Sequence, residues 1–142
     1  MKYAVLLGRL LFASIFLMSA FGHFSPTTIG FAAAQGVPLA SLTVPLSGIM
    51  ELVGGLSILL GYRGRWGAWL IVAFMVPVTL MMHQFWTISD PMAAQMDMVM
   101  FTKNLAITGG ALLIAWFGTG PLSLDARSRQ RESGTLGARV PA

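Results

Sequence analysis

The sequence has no cysteine, only two histidines, and charged side chains at just 10% of positions. Without cysteine the chain forms no disulfide, thiol relay, Cys-ligated zinc site or Fe–S cluster of its own. Any redox role therefore requires a bound cofactor or a partner. The charged share is far below the ~25% of a soluble domain, while 56% of the 142 residues are hydrophobic. A globular chain built this way has too little polar surface to cover its core. With a mean hydropathy of +0.75, the composition describes a chain solvated by lipid.

The net charge of +4 does not indicate nucleic acid. Residues 1–121 hold five Lys/Arg and three Asp/Glu, and residues 122–142 hold four and two. The cations form no stripe that could track phosphates, so nucleic acid is excluded as a partner. Catalytic-serine, phosphate-loop and dinucleotide signatures are absent as well.

Four apolar stretches are present, at about 4–22, 43–61, 66–86 and 98–118, each near the ~20 residues that cross a bilayer core. Ser25-Pro26, the Gly61–Arg65 turn, Ser89-Asp90-Pro91 and Gly118–Pro121 punctuate them. The expected fold class is all-α: a four-transmembrane-helix bundle over residues 1–121, followed by a mobile basic tail over 122–142. Lys and Arg flank only one side. Lys2, Arg63, Arg65 and the tail arginines Arg127, Arg129, Arg131 and Arg139 share it, whereas 23–42 and 87–97 contain neither residue. The positive-inside rule then places both termini in the cytoplasm. Arg9 interrupts the apolar run that a cleaved leader ending at Met18-Ser19-Ala20 would need, so the first stretch is expected to stay as a span. In the first outer loop, Ser25 and Pro26 can start a short helix, with Ser25 as its cap, that Gly36 and Pro38 close. Asp90-Pro91 resembles the start of helix four, projecting beyond the lipid.

Ionisable groups at bilayer depth are costly and usually face a bundle interior. Here they are Arg9, Glu51, His83 and Lys103, one per span, with His23 at the outer end of the first and Asn104 beside Lys103. At 1.5 Å per residue, Glu51 lies about 10 Å deep, Lys103 roughly 7 Å, His83 roughly 5 Å and Arg9 about 20 Å. A Glu51–Arg9 or Glu51–Lys103 pair is expected, serving either helix registry or chemistry. Ser47, Gly48, Gly54 and Gly55 near Glu51 let a neighbouring helix approach closely. His83 is either an interfacial histidine or a donor to a ligand carbonyl. Pro77 can free the carbonyl of Ala73 and widen the outer half of the bundle. Lys103 can snorkel outward, whereas Asn104 should hydrogen-bond across helices. His23, His83 and Glu51 have the composition of a facial metal triad, but no ligand spacing supports one and no metal is expected. Met92, Met96 and Met100 recur at helical spacing and read as packing rather than copper ligands.

Arg9-x-x-Phe12-x-x-x-Phe16, Phe21-Gly22-His23-Phe24, Gly36-Val37-Pro38 and Glu51-Leu52-Val53-Gly54-Gly55 resemble the DoxX family of small bacterial membrane proteins. The resemblance continues through His83-Gln84-Phe85-Trp86, Lys103-Asn104-Leu105-Ala106 and Gly120-Pro121-Leu122-Ser123-Leu124-Asp125, covering residues 4–125. It implies a four-helix bundle in the bacterial inner membrane and an association with membrane oxidoreductase systems. It places Arg9, Glu51, His83, Lys103 and Asn104 at the family's recurring polar positions; His23 departs from a common lysine.

The function expected from these observations is an accessory subunit without catalytic activity of its own. It would bind a quinone or another amphipathic molecule in the outer half of the bundle. Arg9 and Glu51 would pair, His83 and Lys103 would bond the ligand's head, and Phe12, Phe16 and Phe85 would hold its body. The alternatives are a structural anchoring subunit and a small-solute or proton carrier. Membrane lipids, together with further copies or a larger complex, are the expected partners, and no covalent cofactor is expected.

Overall fold

Each polar punctuation of the sequence becomes a helix boundary. The computed structural model describes residues 1–137; Arg139 of the expected tail lies outside the described residues. The helices are α1 (Lys2–Ser19), α2 (Pro26–Ala34), α3 (Ala40–Leu60), α4 (Gly64–Met82), α5 (Pro91–Phe117) and α6 (Leu124–Gly137). Short 3-10 turns follow α1 at Ala20–Phe24 and α4 at Phe85–Thr87. There is no strand among the described residues.

Four segments are long and apolar enough to cross a membrane: Lys2–Phe24, Ala40–Leu60, Gly64–Thr87 and Pro91–Phe117. They place the chain as an all-helical membrane protein. Leu11, Leu46, Leu113 and Trp116 are exposed on their outer surfaces, as lipid-facing side chains must be.

Sequence chemistry explains the ends. Asp90 caps α5, its Oδ1 accepting from Ala93 N at 2.7 Å, and Pro91 occupies the first turn, where no N–H is needed. Helix α5 therefore begins seven residues before the apolar run that marks it in the sequence. At 27 residues and 1.5 Å each it reaches about 40 Å, longer than a ~30 Å bilayer core. The short helix expected after the first span is α2, but Ser25 does not cap it through its side chain. Its carbonyl accepts from Ile29 N instead.

The core is made of small residues and a few large ones: Ala13 and Phe16 of α1, Ile58 of α3, Ala68, Ile71, Phe74 and Met75 of α4, Ala111 and Ala115 of α5. Where α3 crosses α4, a Cβ on Gly54 would lie 2.8 Å from Ile71 and 3.0 Å from the Gly67 carbonyl. Close packing of this kind replaces the hydrophobic effect, which lipid does not supply between helices. A second, smaller cluster of Ala32, Ala40 and Val44 seats α2 on α3.

The two ends of the bundle differ. At one, which we term the basic end, lie Lys2, the Gly61–Arg63 turn and the Gly118–Leu122 loop. The other, the cavity end, carries the 3-10 turn at His23, helix α2 and the loop from His83 to Asp90. The segment expected as a mobile basic tail carries a helix. Residues Leu124–Gly137 are helical, and the first turn is held to the bundle by Asp125.

Candidate functional site

At the cavity end, Glu51 is buried near the middle of α3, with its side chain 4% exposed. Ser19 Oγ donates to Glu51 Oε1 at 2.9 Å, and His23 Nδ1 stands 3.0 Å from Oε2. Ser19 and His23 are four residues apart, so the end of α1 and the following turn present both to the same carboxylate. The His23–Glu51 approach lies off the hydrogen-bond direction: Nδ1 and Oε2 face each other with no aligned hydrogen bond. Gly48 makes this possible. One turn from Glu51, a Cβ there would meet His23 Cβ at 2.8 Å and the Ala20 carbonyl at 2.9 Å. Only glycine lets the 3-10 turn settle onto α3.

Beside this pair is a cavity of about 320 Å³, bounded by His23, α2, α3 and α4. Its walls are almost wholly apolar: Ala32, Val44, Met50, Phe74, Val78, Met81 and Met82. The few polar side chains are His23, Thr28, Thr43 and Ser47. Ala73 and Pro77 both line it, and Pro77 leaves the Ala73 carbonyl without its helical donor. The His23 ring packs edge-on to Phe74, with centroids 5.8 Å apart, and Phe74 rests on Phe16 at 6.5 Å. Phe16 in turn meets Phe12 at 5.4 Å. Phe12 and Phe16 thus support the wall from behind and do not line it.

The remaining polar residues do not converge here, which corrects the sequence expectation. Arg9 does not pair with Glu51. Its guanidinium points to the basic end and donates to the carbonyls of Thr119 at 2.9 Å and Leu122 at 2.8 Å. His83 bonds Asp97 instead of facing the cavity, Nδ1 to Oδ1 at 2.8 Å. Phe85 stacks with Trp86 and Phe101 beside it, away from the cavity. Lys103 is exposed and reaches only Met100 Sδ at 3.5 Å. Asn104 is 7% exposed, and its amide makes no hydrogen bond across helices; its carbonyl accepts from Thr108. Met92 and Met96 lie on the outside of α5 and are not packed within the chain. Among the described residues no group of three His, Asp or Glu side chains could hold a metal ion, so His23, His83 and Glu51 form no triad.

Sequence reasoning overlooked three partners. Ser19 was legible from its i, i+4 spacing to His23. Asp97 falls one residue before the apolar run at 98 and joins α5 only because that helix starts at Pro91. Asp125 Oδ1 accepts from Arg63 N at 2.8 Å and Oδ2 from Gly64 N at 3.1 Å. It thereby caps α4 from a distant segment, since Arg63 supplies no side-chain cap of its own.

Comparisons with known proteins agree with this architecture. A family model described as DoxX matches residues 4–84, which include Arg9, His23, Glu51 and His83. The chain is 29% identical over 125 residues to inner membrane protein YphA of Escherichia coli (strain K12), covering 87% of this chain and 89% of that protein. It is 32% identical over 123 residues to inner membrane protein YqjF of the same strain, covering 85% and 88%. No solved structure matches the chain.

Proposed function

The chain belongs to the DoxX family of membrane proteins, and we propose that it binds an amphipathic small molecule of the quinone class in the cavity beside His23 and Glu51. The observation that carries this reading is the cavity itself: about 320 Å³, apolar on nearly every side, with the histidine of a buried carboxylate–imidazole pair at its wall. Ligand sites combine apolar walls with a few placed polar groups.

The pair suits such a ligand. His23 Nδ1 is turned to Glu51 Oε2 at 3.0 Å, which leaves Nε2 as the ring nitrogen for a ligand. A neutral imidazole protonated at Nδ1 accepts at Nε2, as a quinol hydroxyl requires; the imidazolium donates there, as a quinone carbonyl requires. Glu51 orients the ring in either state and offsets the charge of the second. Ser19 fixes the other carboxylate oxygen.

In this reading the protein sits in a bacterial inner membrane, as its relatives do, with both termini in the cytoplasm and the cavity in the outer half. It serves a membrane oxidoreductase system as an accessory subunit, holding the molecule while a partner with its own cofactor handles electrons. The natural absence of cysteine makes single-cysteine labelling at the exposed Ser128 and Thr87 positions a clean test of that orientation.

The binding claim is tested by native mass spectrometry of the protein in lipid, titrated with an alkyl-tailed benzoquinone. Saturable binding weakened about tenfold or more by Glu51→Gln and by His23→Ala is the expected result, the equivalent of one lost charge-assisted hydrogen bond. Absence of saturable binding, or binding indifferent to both substitutions, overturns the reading in favour of a packing role for the pair.

A further inference from the structure

At the opposite end of the bundle a second cavity, of about 560 Å³, opens between α1 and α6. Lys2 and Arg127 line it together with Gln130, and Leu6, Leu60 and Leu122 form its apolar side. Among the described residues that line it there is no carboxylate. Asp125, two residues before Arg127, is turned to the backbone N–H groups of Arg63 and Gly64.

Behind Leu122 lies a third cation. Arg9 is 7% exposed, and the carbonyl it holds at 2.8 Å is that of Leu122 itself. Its guanidinium meets only carbonyl oxygens, and its Nε has no hydrogen-bond partner. Neither ion pair described for the protein involves it. A buried cation without a counter-ion is expensive, so the field at this end favours an anion. The position of the cavity selects which one. It sits where the apolar surface of α1 and α3 gives way to the basic turn and α6, the depth at which a phospholipid passes from acyl chain to headgroup.

We propose that this cavity is a specific site for an anionic phospholipid. Lys2 and Arg127 grip the phosphate, Gln130 hydrogen-bonds the headgroup, and Leu6, Leu60 and Leu122 receive the start of the acyl chains. The bound lipid supplies the negative charge that Arg9 lacks and ties α6 to α1.

The test is native mass spectrometry of the full chain released from nanodiscs containing equal phosphatidylglycerol and phosphatidylcholine. The site predicts one tightly retained phosphatidylglycerol per chain. The double substitution Lys2→Gln with Arg127→Gln should weaken its retention about 30-fold, which is two basic groups at about 1 kcal/mol each. Lys2→Arg with Arg127→Lys keeps both charges and should retain the lipid. Arg65→Gln with Arg129→Gln removes two exposed cations outside the cavity and should leave retention unchanged. Equal retention of the two lipids overturns the proposal. So does an equal loss in the Arg65/Arg129 pair, which would mean diffuse attraction to the membrane surface.

Discussion

The two ends of this bundle are held by different chemistry. The basic end is closed by side chains gripping backbone. Arg9 holds the carbonyls of Thr119 and Leu122, Asp125 holds the N–H groups of Arg63 and Gly64, and Asp125 N donates to the Gly61 carbonyl at 2.8 Å. Gly61, at φ 65°, sits so close to Ser123 that a Cβ there would collide with the serine side chain. The cavity end is held by side chains gripping one another: Ser19 and His23 on Glu51, His83 on Asp97. Backbone groups are fixed in place and cannot titrate, so the first arrangement suits a permanent closure. Side-chain pairs can exchange one partner for another, so the second suits an end that receives something.

Substitutions can break this contrast. The largest effect should come from Arg9→Gln, which removes two charge-assisted hydrogen bonds to backbone carbonyls, one of them buried. Stability should fall by roughly 3 kcal/mol, read as a lower denaturation midpoint in micelles, while ligand binding at the other end survives in the folded fraction. Were binding lost in parallel with no change in stability, the ends would not be separate devices. Gly48→Ala should come next, costing about 1–3 kcal/mol by overpacking, because its methyl meets His23 Cβ and the Ala20 carbonyl. Here binding should be lost as well, since the 3-10 turn moves His23 away from Glu51. Asp97→Asn should do least. Its partner His83 is partly exposed, and such pairs contribute at most about 1 kcal/mol. A stability loss above that, or a loss of ligand binding, would show that the His83 loop belongs to the site.

The architecture was legible because lipid imposes a length rule: uninterrupted apolar runs near 20 residues become spans, and Gly, Pro and Asp-Pro mark their ends. The polar candidates were equally visible, because each sits where lipid tolerates none. Their pairing was not. Counting along an axis gives depth but not rotation, and it set Arg9 and Glu51 within reach of each other. The structure sends Arg9 the other way, because Gly118 and Gly120, at φ 82° and 83°, fold the chain back under the bundle and present carbonyls there. Asn104 shows the same limit. It is buried as its place in an apolar run requires, but no donor or acceptor on the facing helices meets it.

The central claim is that His23, backed by Glu51, meets the ligand and His83 does not. The chain has only these two histidines, so nitrogen NMR of the protein labelled at histidine in lipid resolves the question. On adding an alkyl-tailed benzoquinol, the account predicts that the Nε2 resonance of His23 shifts and saturates while both nitrogens of His83 stay in place. Saturating shifts at His83 with His23 unmoved would contradict it.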